Sequence, residues 1–401
     1  MDFICGLDID GSKIVGVLAS VDHRKNIRDI YIEKTQSKGF SKGRVMDLVS
    51  FSEAISRIIN NLESKSGTSI RNVFINTKGD FIKSSRVNAR LPLSEANNRV
   101  IRQVDVKRVN KFARDLGLDL NEEVIFEVPH KYKVDNHDDI QEPVGLSAHR
   151  LEVELFLVRS DFMYLECTRQ AFRHIGVSTS GIILSGLATA ASTLDNEDKL
   201  NGATLIDIGD DLVEILNFSN NKLVDYRTLS FGYNNLCQAL AEKMDISKES
   251  ASQVSDSYAV MNMPDSFKDE EIVIKRDNDY KTLSKSLVSS IITEETKGMV
   301  SLIKKELLDM QGQTQNIIIT GEISLIEGFI ELAEASLEKP IKLGRVKDIN
   351  LVPYFESIWG VRALGLVRYC IENNRLPEDK DRGSLFSDFI IKAREIYQDY
   401  F

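Results

Sequence analysis

Residues 204–216, TLIDIGDDLVEIL, read as a strand, a tight turn at Gly209-Asp210-Asp211 and a second strand, with Asp207 closing the first. Residues 4–20, ICGLDIDGSKIVGVLAS, repeat the design. Asp8 ends a strand, Asp10-Gly11-Ser12-Lys13 form the turn, and a second apolar run follows. Two hairpins of one pattern predict one architecture used twice. A chain of 401 residues is long enough to give each half its own core.

Around the first hairpin, IRDIYIEKTQS (27–37) extends the sheet, and NVFINTKGD (72–80) returns as a strand. Between them Ile55, Ile58, Ile59 and Leu62 fall at i, i+3, i+4 and i+7, an amphipathic helix stopped by Gly67. From 82 to 162 the texture changes to a helix (DVKRVNKFARDLG) and long strands (EEVIFEVPHKYKVD, HRLEVELFLVRS), an inserted α+β subdomain. FMYLECTRQAFRHIG (162–176) is the next helix, and GIILSGLATAASTL (181–194) leads into the second hairpin. Helices occupy most of 233–310, broken by a charged, loop-like segment at 263–283. NIIITGEISLIEGFIELAEASL (316–337) is a strand, a turn and a helix, and WGVRALGLVRYCIEN (359–373) is the last core helix.

Composition narrows the function. A net charge of -10 argues against a general nucleic-acid binder, which shows a basic face. No apolar run is long enough to span a bilayer, and the first residues lack the basic-then-apolar pattern of a signal peptide. Cys5, Cys167, Cys237 and Cys370 are scattered, as expected of buried small side chains in a reducing, cytoplasmic compartment. Five histidines without an HExxH pairing give no catalytic zinc site.

The duplicated hairpins and a late glycine turn resemble the actin/Hsp70/sugar-kinase architecture: an α/β, actin-like fold of two duplicated domains around a cleft. The resemblance narrows at 123–155, with P-x-x-Y-x-V-D at 129–135 and P-x-G-x-x-x-x-R-L-E-V at 143–153, both similar to the inserted subdomain of the bacterial cell-division protein FtsA. FSKGRVMDLVSFSEAI (40–55), GLDIDGSKI (6–14) and the approach to the second hairpin (181–209) are similar to the same family. The expected division is a first domain at 1–81, 163–198 and 346–373, interrupted by the insert at 82–162. A second domain takes 199–234 and 313–345, carries a helical subdomain at 235–312, and is followed by a linker at 374–384 and a terminal helix at 385–401.

In this family two hairpin turns and a glycine turn hold Mg-ATP, so the resemblance gives each matching residue a role. Asp8 and Asp207 match the metal-side carboxylates. Gly11, Ser12 and Lys13 match the first phosphate turn, Gly209 the second, and Gly321, Glu322 and Ser324 the adenosine turn. Glycine serves because it lets backbone N–H groups approach phosphate closely. This chain also departs from the family pattern within each of these turns and in one further helix motif. D-I-G-T-S-K becomes Asp8-Ile9-Asp10-Gly11-Ser12-Lys13, and in D-I-G-G-G-T-T-D two glycines become Asp210 and Asp211, while Leu212 and Val213 replace hydroxyls. T-G-G-G-S becomes Thr320-Gly321-Glu322-Ile323-Ser324, and A-E-x-x-K becomes Ala251-Ser252-Gln253-Val254-Ser255. A carboxylate about 4 Å from a phosphate charge costs on the order of 4 kcal/mol at an effective dielectric of 20. Four such changes together predict absent or weak ATP/Mg binding and a pseudo-ATPase with no catalytic residue. The acidic turns are then turn formers.

Leu385, Phe386, Phe389, Ile390, Ile396, Tyr397, Tyr400 and Phe401 make an aromatic-rich helix face resembling the family's membrane-binding amphipathic helix. Its polar side carries Asp388, Glu395 and Asp399 against Lys392 and Arg394, so lipid binding would rest on aromatic burial; docking on protein is the alternative. The resemblance implies self-assembly into filaments, inner-membrane lipid and the C-terminal tail of FtsZ as partners; copolymerisation with an orthodox FtsA paralogue is a further arrangement, in which a nucleotide-free subunit would be easy to tolerate. Against that tail, the family's I-I-x-x-R-x-x-E run reads IITEETKG, with Glu295 for arginine and Gly298 for glutamate; Lys275, Arg276, Lys281 and Lys285 offer another basic patch. A Mg-ATP-dependent ATPase with acidic metal ligands and a peptide-binding adaptor like the pilus-assembly protein PilM stay open as alternatives.

Overall fold

Strand β1 (Asp2–Ile9) and strand β2 (Lys13–Val21) are apolar on both faces, so the hairpin they form is central in its sheet. They pair antiparallel with Ile9 opposite Ile14, and β3 (Ile27–Gln36) pairs with β2. A computed structural model describes this architecture for residues 2–94, 98–261, 270–276, 279–310, 316–346 and 360–375. The terminal helix expected at 385–401, and all but the start of its linker, lie outside the described residues.

The short pair β4 (Phe40–Ser41) and β5 (Arg44–Val45) precedes α1 (Leu48–Ser66). Asp47 caps α1 at its N-terminus and Gly67, with φ +69°, ends it as the sequence predicts; Ile55, Ile58, Ile59 and Leu62 are buried. Strand β6 (Asn72–Thr77) pairs parallel with β1.

The insert comprises β7 (Ile82–Pro92), β8 (Arg99–Val100), α2 (Gln103–Leu116), β9 (Glu122–Val134), β10 (His137–Ile140), β11 (Ser147–Ala148) and β12 (Arg150–Asp161). Its sheet order is β10-β9-β12-β7, with Val106, Val109 and Ala113 of α2 packed on Leu151, Val153 and Leu155. The chain re-enters the first sheet through α3 (Phe162–His174) and β13 (Ser178–Leu184), then crosses by α4 (Ser185–Thr193) and α5 (Asn196–Asn201).

The second half repeats the first. Strands β14 (Ala203–Ile208), β15 (Val213–Ser219) and β16 (Lys222–Leu229) form an antiparallel meander. Helices α6 (Tyr233–Met244) and α7 (Lys248–Tyr258), strands β17 (Glu271–Arg276) and β18 (Asp279–Ser284), and α8 (Lys285–Asp309) follow. Strand β19 (Asn316–Thr320), a 3-10 turn at Glu322–Leu325, α9 (Phe329–Leu337), β20 (Ile341–Leu343) and α10 (Val361–Glu372) complete the described chain. The sheet orders are β3-β2-β1-β6-β13 and β16-β15-β14-β19-β20, each an antiparallel meander extended by two parallel strands. That shared order is the duplication expected from the hairpins.

One expectation is corrected. The segment 263–283, read as a loop, contains the hairpin β17–β18. Ile272 faces Leu283 across it and both are buried, so a two-residue alternation was present beneath the charges.

Candidate functional site

The two turns are closed by the same bond. Asp10 N–H donates to the Lys13 carbonyl at 2.9 Å, and Gly209 N–H donates to the Leu212 carbonyl at 2.9 Å. Closing each turn this way leaves Asp8 and Asp207 at the two strand ends, both buried and facing a common cleft. Asn76, at the end of β6, accepts from Ile9 N–H at 2.7 Å and donates to Asp8 at 2.8 Å. Thr189, on α4, donates to Asp207 at 2.6 Å.

Helix α10 brings the residue that organises the site. A Cβ on Gly365 would lie 1.8 Å from the Ala188 carbonyl oxygen, so only glycine lets α10 lie so close to α4. This contact carries Arg362, its side chain only 11% exposed, into the cleft. The guanidinium Nε and Nη2 donate to Asp207 at 3.2 and 3.0 Å, and Nη1 donates to Asp8 at 3.1 Å and Asp10 at 3.2 Å. One fixed fork thus holds both strand-end carboxylates and the first turn. Lys78, buried just past β6, donates at 2.5 Å to the same Asp10 oxygen, Oδ2, that Arg362 reaches, while Oδ1 accepts from the Gly11 N–H at 2.8 Å.

The outer part of the cleft is bridged as well. Ser12 donates to Asp210 from its N–H at 3.1 Å and from its hydroxyl, and Lys13 pairs with Glu322. Lys42 N–H donates to Asp211 at 3.3 Å, and Asn234 donates to its other oxygen at 2.7 Å. Gly321 has φ +113°, and a Cβ there would lie 1.9 Å from the Ile208 carbonyl oxygen; the Ser324 hydroxyl donates to the Gly321 carbonyl.

Of the residues expected from sequence, Asp8, Lys13, Asp207, Gly209, Gly321 and Glu322 line one cavity with Arg362. Its free space is about 40 Å³, room for two or three waters. Ser12 borders it through Asp210, Gly11 lies against the Asp211 side chain, and Ser324 is buried behind the adenosine-side turn. Asp8 and Asp207, expected to hold metal, are both engaged by Arg362. Asn76, Lys78, Thr189 and Arg362 escaped the sequence reading. The available signal was a lone cation among the wholly buried Ala363, Leu364, Leu366 and Val367, where an ion is kept only when paired. Of the altered A-E-x-x-K positions, Ser255 is buried and Ser252 half-buried in the helical subdomain.

Electrostatics follow from the count of charges. Lys13, Lys78 and Arg362 face Asp8, Asp10, Asp207 and Asp210, with Glu214 and Glu322 beside them. Burial would raise the Asp10 carboxyl, but Lys78 and Arg362 outweigh it and hold it below the ordinary range. Burial raises Asp8 despite Arg362, and burial with the nearby Asp10 charge raises Asp210. Glu214 lies opposite Asp207 in the hairpin and accepts from the Tyr226 hydroxyl at 3.0 Å, while its Oε2 has no hydrogen-bond partner. Burial, then the Asp207 charge, push its carboxyl up to about 7.

The insert makes a different contact with the second half. Phe156 and Val158 share an apolar cluster with Leu223 and Tyr226 of β16. Ser84 donates to the Tyr226 carbonyl at 3.0 Å, Arg86 to the Val224 carbonyl at 2.8 Å, and Lys222 to the His130 carbonyl at 2.9 Å. In the helical subdomain Glu294 and Glu295 accept from Lys243, while Lys281 and Lys285 are paired with Asp245 and Glu270. Among the described residues no helix is long and apolar enough to cross a membrane.

Comparison with known proteins matches residues 79–159 to the SHS2 domain inserted in FtsA and residues 204–358 to cell division protein FtsA, together more than half of the chain. The chain is 25% identical to cell division protein FtsA of Pseudomonas aeruginosa over 90% of this chain and 89% of that one. Against cell division protein FtsA of Bacillus subtilis it is 25% identical over 93% and 84%. Among solved structures, a PilM-PilN type IV pilus biogenesis complex aligns with TM-score 0.64 at 13% identity, over 92% of this chain and 98% of that one. MreB5 of Spiroplasma citri bound to ADP aligns with TM-score 0.56 at 9% identity, over 96% and 99%. The structural likenesses establish the actin-like fold.

Proposed function

This chain belongs to the family of the cell division protein FtsA, and from that premise we propose that it is a non-catalytic, filament-forming actin homologue. It works on the cytoplasmic face of a bacterial inner membrane and links division machinery to that membrane. The observation that carries the non-catalytic part is Arg362 lying between Asp8 and Asp207. A Mg-nucleotide needs those carboxylates for its cation and the turn N–H groups for its phosphates. Here the carboxylates are engaged by a guanidinium and the Ser12 N–H by Asp210. The residues present do not fit Mg-ATP without displacing their own partners.

Membrane attachment rests on the apolar face of 385–401, from Leu385 and Phe386 to Tyr400 and Phe401. The partners proposed with it are further copies of the chain and inner-membrane lipid, with an orthodox FtsA paralogue as a further candidate. An acidic FtsZ tail fits less well, because Glu295 and Glu294 lie together around Lys243 where a free cation would be needed.

Calorimetry of the full-length protein with Mg-ATP tests the cleft. No heat to millimolar nucleotide is expected, and micromolar Mg²⁺-dependent binding would overturn the reading in favour of an ATPase. Liposome flotation with and without residues 385–401 tests the anchor. Flotation that does not depend on the tail would overturn the tail as anchor, and no flotation of the full-length protein would overturn the membrane assignment.

A further inference from the structure

We propose that the cleft is a self-liganded clasp, in which Arg362 supplies the cation and Asp210 and Glu322 the anions that bridge the two halves. This deepens the pseudo-ATPase reading and rests on it. Asp8 and Asp10 belong to the first hairpin and Asp207 to the second, so the bonds of Arg362 span the duplication. The guanidinium remains charged at every pH the protein meets, so this cation is neither exchanged nor titrated. A bound metal ion would leave with its ligand, but an arginine on a packed helix stays.

The anionic side is built in the same way. The Ser12 N–H and hydroxyl and the Lys13 ammonium are the first-turn donors that would face a phosphate, and they grip Asp210 and Glu322. Asp211 takes the Lys42 N–H, drawing the loop before α1 onto the second turn. The substitutions that remove phosphate contacts therefore create contacts between the halves. On this reading, Asp10, Asp210, Asp211 and Glu322 are ligands and not merely tolerated turn residues. The consequence is a closed form that needs no nucleotide and does not cycle.

Amide hydrogen exchange on the full-length protein tests the clasp, read at Ser12 and Lys42, whose N–H groups cross the cleft. In the wild type both amides are protected, and Mg-ATP changes neither. Asp210→Asn removes the charge from the Ser12 contact and speeds exchange at Ser12 about tenfold, leaving β1 and β14 protected. Arg362→Ala speeds exchange at both amides, and millimolar guanidinium, but not sodium at equal ionic strength, restores part of the protection. Wild-type exchange at Ser12 in Asp210→Asn, or at both amides in a folded Arg362→Ala, would overturn the clasp. If Arg362→Ala does not fold, the Asp210→Asn result decides alone. Unchanged exchange with calorimetry still silent to Mg-ATP sinks the clasp only, whereas micromolar Mg-ATP binding sinks the pseudo-ATPase reading beneath it.

Discussion

Two seams join the halves of this molecule, and they are made of different materials. In the cleft, Arg362, Lys78 and Lys13 meet carboxylates from both sheets. At the insert, Phe156 and Val158 meet Leu223 and Tyr226, and the polar bonds there go mainly to backbone carbonyls of β16. Burying an ion costs desolvation that only its partners offset, so the first seam fails when one partner is lost. The second draws on apolar area, which has no charge to lose.

The sharpest way to break the ionic seam is Lys78→Met. It leaves Asp10 buried beside one cation instead of two, and a loss of about 4 kcal/mol in urea unfolding is expected. A loss under about 1 kcal/mol would mean that Arg362 alone satisfies Asp10.

Acidity should separate the seams next. The Glu214 carboxyl binds its proton more tightly when folded, so its contribution is present at low pH and is lost as pH rises from about 4.5 towards 7. Across that window the wild type should lose about 3 kcal/mol of stability relative to Glu214→Gln. The groups facing Glu214 are Asp207, Lys78, Arg362 and Tyr226, and all are shared by the variant, so the difference isolates Glu214. Parallel stability curves against pH would show that Glu214 titrates alike in the folded and unfolded chain.

For the apolar seam, Leu223→Ala should cost about 2 kcal/mol, the lower end for a buried leucine, with no dependence on pH or salt. A salt-dependent loss would mean that the insert, too, is held by charge. The smallest effect belongs at the mouth of the cleft. Glu322 is 38% exposed, so solvent screens its pair with Lys13, and Glu322→Gln, which leaves Lys13 facing Asp210, should cost about 0.5 kcal/mol, less at high salt.

Much of the framework was legible because local patterns carried it. The hairpins at Asp8 and Asp207, α1 with its Gly67 stop, and the long strands of the insert all follow from apolar period and turn residues. The β17–β18 hairpin was not, because charged residues masked the pairing of Ile272 with Leu283. Within the site, Asp8, Ser12, Lys13 and Asp207 could be named from their turns. Their partners could not, since Lys78 closes a strand that reads only as part of the sheet and Arg362 lies in a helix that reads as plain core.

By itself, then, the sequence determined that the chain is a duplicated α/β protein with an insert, and that its turns carry carboxylates where phosphate binding calls for glycine. Only the tertiary structure decided what those carboxylates do. A turn residue is shaped by its neighbours along the chain, but the charge it meets depends on which distant helix packs opposite. Here the contact of Gly365 with Ala188 brings Arg362 to three aspartates drawn from both halves.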